Sequence, residues 1–207
     1  MTDLQPKPIL VKTRVKGILM NDSQAILHEV VESSKKFCET VGLQKNLITQ
    51  IIETDNDWAL ILKVDALLEV AAKEILRKHL HVTLANGIEN NKVREEFIDA
   101  LPLNGRTSVL RLLEAAGCPE VHLRFIEAAR KVRNAYAHNV RNLNVSLIEL
   151  IKRLDRKLLE RLSLLQEPAD EMFARREKNA KLLRVEIVLL SLRFLCFAYD
   201  EAIKPAK

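Results

Sequence analysis

Residues 119–138 read PEVHLRFIEAARKVRNAYAH, and their spacing decides the fold. Val121, Phe125, Ala128, Ala129, Val132 and Tyr136 recur at intervals of three and four, the stripe of a helix that buries one side. Pro119 suits the first turn, because its ring fixes φ and no N–H is lost there. Arg133 falls at the margin of the stripe. His138 falls on the far side, since five residues on an ideal helix turn through roughly 140°.

Residues 57–80, DWALILKVDALLEVAAKEILRKHL, repeat the pattern. Trp58, Ile61, Leu68, Ala72, Ile75 and Leu76 form the apolar face, with Thr54 and Asp55 as expected caps. Shorter helices are predicted at 23–41 behind Ser23, at 91–101 and at 106–116. Asn86-Gly87 marks a turn, and Gly117 is the expected left-handed residue after the helix at 106–116. Asn139–Asn144 is a polar break. Asn144 is the expected cap of a helix over 145–165, and Pro168 the start of a last helix over 168–203.

Composition agrees with an all-α bundle of long antiparallel helices. Apolar residues make up 48% and charged residues 29% of the 207, with only five Gly and six Pro to form turns. Residues 1–22 hold two prolines and no helical period, and read as a flexible N-terminal arm on a single all-α domain over 23–207. The opening stretch lacks the apolar run of a signal peptide. The most apolar stretch, 185–199, is too short for a bilayer and contains Glu186 and Arg193, so no membrane is expected. Cys38, Cys118 and Cys196 are scattered and odd in number, which suits reduced thiols in the cytoplasm.

The net charge of +5 is unevenly placed. Residues 119–166 hold ten Lys or Arg against five Asp or Glu, which matches the whole excess. A basic segment around RNAYAH is compatible with a polyanion partner, although a single charge run is more often a solvated helix face. On the helix at 57–80, Asp65 lies within the apolar arc and Glu69 at its edge. A carboxylate on a buried face needs a partner, and Arg130 or Arg133 is the natural one. Such a group positions a functional arginine, or it is a structural ion pair between bundle helices.

Arg133, Asn134 and, after three more residues, His138 resemble the Arg-x4–6-His motif of HEPN domains, in which the residue after Arg is usually Asn, Asp or His. The resemblance covers about residues 50–165 and leaves the helix at 168–203 as an extra bundle element. It implies a metal-independent endoribonuclease acting as a homodimer, with a toxin or defence role and an antitoxin or regulatory protein as partner. In that family Arg and His of both chains surround one cleft. Carried over, Arg133 would grip the scissile phosphate bidentately. His138 would move protons, since an ordinary imidazole titrates near ~6.5. Asn134 would orient the histidine or the phosphate. Asp65, Glu69 and Tyr136 would support the site, and Arg130, Lys131 and Arg141 would contact the remaining RNA. Attack by the ribose 2′-OH needs no metal and no cofactor. In toxins of the family paired with a nucleotidyltransferase antitoxin, a Tyr stands two residues after the His. Val140 stands there in this chain, which argues against that arrangement. The resemblance also implies an alternative, a non-catalytic regulator of the same fold similar to the mannitol-repressor type.

Other signals carry less. His79, His81, Cys118 and His122 lack structural-zinc spacing. Lys152, Arg153, Arg156, Lys157 and Arg161 spread over more than one helical face and suit solvent. One Trp, two Tyr and six Phe are too few for a base-stacking sheet.

Overall fold

Leu60, Ile61, Val64, Leu67, Leu68, Ala71, Ala72, Ile75 and Leu76 are all buried, so the helix carrying them is covered on more than one side. It is the central element of the fold. The computed structural model describes residues 19–44, 46–84, 91–164 and 168–203, and among them there is no strand. The chain is an all-α helical bundle.

The elements are α1 (Leu19–Thr40), α2 (Leu47–Ile52), α3 (Asp57–Leu84), α4 (Asn91–Ala100), α5 (Val109–Ala115), α6 (Glu120–His138), α7 (Leu147–Leu154), α8 (Lys157–Arg161), α9 (Ala169–Lys178) and α10 (Ala180–Ala198). A 3₁₀ turn, Val140–Asn144, follows α6, and a π turn, Tyr199–Ile203, closes α10. α3 packs between α6 and α10, and α1 lies along α10. α4 and α5 also pack on α3, while α8 and α9 carry α6 and α7 towards α10. Among the described residues no helix is long and apolar enough to cross a membrane.

Several boundaries depart from the sequence reading for local reasons. α1 starts at Leu19 rather than Ser23; residues 1–18, most of the expected arm, and the Asn86-Gly87 turn lie outside the described residues. α3 is capped by Asn56, whose Oδ1 accepts the Trp58 N–H at 3.0 Å, and not by Thr54 or Asp55. The Thr54 hydroxyl instead donates to the Gln50 carbonyl at 2.6 Å. α3 also runs on to Leu84, past the expected stop at 80. The helix expected over 145–165 is two helices. Ser146, not Asn144, caps the first, accepting the Glu149 N–H at 3.4 Å. Asp155 then breaks it and accepts the Lys157 N–H at 3.0 Å. The helix expected over 168–203 breaks at Asn179. α5 closes as its sequence demands. Gly117 takes φ +85°, and the Cys118 N–H reaches back to the Leu113 carbonyl at 2.9 Å.

The core stripe of α6 needs one correction. Val121 is 49% exposed, and His122 is buried in its place. His122 stacks on Phe197, with ring centres 4.8 Å apart, and tilts against Phe194 at 5.4 Å. Burial, with a smaller push from the Arg193 charge, lowers its pKa from 6.5 to about 4. The unfolded chain therefore binds this proton more readily than the folded one between those values. This group's contribution is complete above pH ~6.5 and falls as the pH drops towards 4, by about 3 kcal/mol. Urea unfolding at pH 7 and pH 4.5 should register that loss in the native chain. His122→Phe should flatten it, and an unchanged slope in that variant would exclude His122 as its source.

Candidate active site at the end of the RNAYAH helix

Asp65 lies on the face of α3 that meets α6, and it is 2% exposed. Its Oδ2 pairs with Nη1 of Arg130 and stands 3.4 Å from Nε of Arg133. One carboxylate oxygen thus serves both arginines named as its partners from sequence. Arg130 Nη1 also donates to Glu69 at 3.2 Å, and Glu69 pairs with Lys73 at 3.0 Å. The other oxygen, Oδ1 of Asp65, is the one buried side-chain polar atom without a hydrogen bond among the described residues. Burial raises the Asp65 carboxyl pKa against the opposing pull of Arg130 and Arg133.

The two arginines are held differently. Arg130 is clasped by two carboxylates, so its expected contact with RNA would require breaking an existing pair. Arg133 is more open, with about a third of its side chain exposed. Its Nη1 donates to Oδ1 of Asn134 at 3.1 Å. Asn134 therefore orients the arginine within the chain, rather than the histidine. Lys131, also expected at RNA, pairs with Asp155 at 3.3 Å. Arg141 is exposed, and its backbone N–H donates to Asn139 Oδ1 at 3.0 Å.

α6 stays helical through His138. His138 is exposed, and its side chain has no hydrogen bond among the described residues. The condition that would turn Arg133 and His138 towards one point, an earlier end of the helix, is not met. They leave the axis roughly 140° apart. Within one chain the structure brings together Asp65, Glu69, Arg130, Arg133 and Asn134, and leaves His138 outside that group.

Two hydrogen bonds that sequence reasoning missed fix the turn after His138. Asn142 Nδ2 donates to the Ala135 carbonyl at 2.8 Å, satisfying a free acceptor in the last turn of α6. The buried Tyr136 hydroxyl donates to the Val145 carbonyl at 3.1 Å. Burial, followed by the Asp57 charge, pushes the Tyr136 pKa further up, so the phenol stays a donor. The run NVRN held the signal, because Asn side chains favour such local bonds.

Among the described residues no group of three or more His, Cys, Asp or Glu is placed to hold a metal ion. His79 and Cys118 line a small cavity of about 200 Å³ with Glu201, apart from His122. Cys38, Cys118 and Cys196 are free thiols. Comparison of the chain with protein-family models, curated proteins and solved structures returns no match in any of the three.

Proposed function

We propose that the protein is a metal-independent endoribonuclease of HEPN type, whose active site combines Arg133 of one copy with His138 of a second. The observation that carries this reading is the support under Arg133. A buried carboxylate pairs with its Nε, Asn134 accepts from its Nη1, and about a third of the side chain stays exposed. A cation fixed from behind and open in front is built to receive a phosphate.

In the proposed reaction His138 takes the proton of a ribose 2′-OH. The 2′-oxygen attacks the adjacent phosphorus, and the bond to the 5′-oxygen breaks. The products are a 2′,3′-cyclic phosphate and a 5′-hydroxyl that receives the proton. Arg133 neutralises charge on the non-bridging oxygens as it builds. RNA supplies the nucleophile.

RNA cleavage in EDTA tests this directly. The wild type should cut RNA to cyclic-phosphate ends, and His138→Ala should lower the rate by about 10²–10⁴-fold while remaining folded. Undiminished cleavage by His138→Ala would remove the histidine from the reaction. No cleavage by the wild type over structured and single-stranded RNAs would favour the second reading.

That reading is a non-catalytic module of the same fold that contacts a regulatory or antitoxin-like protein. The divergence of Arg133 and His138 within one chain favours it. Arg133 would then act as an anchor for an acidic partner surface.

A further inference from the structure

α1, α2, the start of α3 and α10 border a cavity of about 420 Å³. Leu60, Val188 and Leu192 line its interior, and Val31 of α1 contributes a wall. Ile52 and Val185 also line it, yet each stands more than half exposed, at 56% and 52%. Large apolar residues left in water around an apolar hollow mark a place that something covers. The volume falls within the range of small-molecule pockets, and the apolar lining with a few polar groups is their usual chemistry.

A second cavity of about 380 Å³ adjoins the first and shares Asp55, Lys181 and Arg184 with it. Its lining is mixed, with Asn56, Asn144 and Ser146 beside Leu143 and Val145. Lys181 and Arg184 stand in the opening turns of α10, whose cap residue Asn179 supplies no side-chain hydrogen bond. The positive end of a 19-residue helix therefore faces the junction. Arg184 is already engaged, donating from Nη1 to the Asp55 carbonyl and to Asp57 Oδ1. Asp57 in turn accepts the Leu147 N–H at 2.8 Å. Lys181 has no ion-pair partner among the described residues, so it is the cation left to meet a ligand. Glu53 and Asp55 line the cavity as well, Asp55 at the same junction as Lys181 and Arg184, and they disfavour a second negative charge.

We infer that this cleft binds a small amphiphile, with its apolar body between α2 and α10 and a single anionic head at Lys181. None of the residues proposed for RNA lines it, so the inference stands apart from the nuclease reading.

Calorimetric titration of the full chain with decanoate, decanol and decyltrimethylammonium tests it. Decanoate should bind one per chain, and the other two about tenfold more weakly or worse, as the loss of one charge-assisted contact implies. Lys181→Glu should weaken decanoate by a similar factor. Val188→Trp should abolish binding by filling the hollow. If that variant fails to fold, Val185→Asp on the exposed lip makes the same test. Absence of decanoate binding to the wild type would overturn the proposal. So would equal affinity for decanol, or undiminished binding in the variants at 185 or 188.

Discussion

Equal amounts of Arg133→Ala and His138→Ala chains, each inactive alone, should recover roughly a quarter of wild-type RNA cleavage when unfolded together and refolded. The expectation follows from the angular divergence of the two side chains on an unbroken α6. If each site takes Arg133 from one copy and His138 from the other, a mixed pair keeps one intact site and loses the other. Random re-pairing makes half the pairs mixed, each with half its sites. A site built within one chain gives a different result, because a mixed pair would then contain no intact site. Refolding the two variants separately before mixing should yield nothing until the pairs exchange. Cleavage by the wild type with no recovery in the refolded mixture would reject the shared site, while leaving His138 itself to be judged by its single variant.

Glu186→Ala should destabilise the fold by about 3–5 kcal/mol, a large part of the stability of an ordinary domain. Glu186 and Arg176 are both buried, Arg176 completely. Arg176 donates from Nε to Oε2 at 2.8 Å and from Nη2 to Oε1 at 2.6 Å, and its Nη1 reaches the Met172 carbonyl at 3.1 Å. Removing the carboxylate strands a guanidinium without water or counter-charge. The pair itself need not be strongly stabilising, since both charges lost their hydration on folding. Arg176→Met with Glu186→Leu should therefore lie close to the wild type, or above it by about 1–4 kcal/mol. Urea unfolding of the three chains distinguishes these cases. A loss below about 1 kcal/mol in Glu186→Ala would show that water reaches the site.

Much of this architecture was legible because the deciding residues sit on single helices. α3 and α6 follow from their apolar spacing, and the burial of Asp65 and its choice of arginines follow from helical phase and charge. The departures have tertiary causes. His122 replaces Val121 in the core because Phe194 and Phe197 of α10 offer an aromatic wall at that angle. The break at Asp155 occurs where the side chain competes with the helical backbone, accepting the Lys157 N–H, and neither it nor the break at Asn179 is marked by a Pro or Gly. The Arg176–Glu186 pair was hidden because its members lie on separate helices, joined by a turn that periodicity did not reveal. At the candidate site, the residues on α6 and their order could be read directly. Asn134 turning to Arg133 could not, since a rotamer choice leaves no periodic trace.

The bond from Tyr136 to Val145 and that from Asn142 to Ala135 close a small ring of backbone around His138. A terminal helical residue ordinarily frays, and a side chain on it wanders with the main chain. Here the stem is tied on both sides, and the motion left to the imidazole is rotation about its own side-chain bonds, which takes picoseconds to nanoseconds at an exposed position. Any molecule that meets this histidine thus finds a fixed pivot with a fast rotor. The ordering cost of the encounter shrinks to selecting one rotamer among a few.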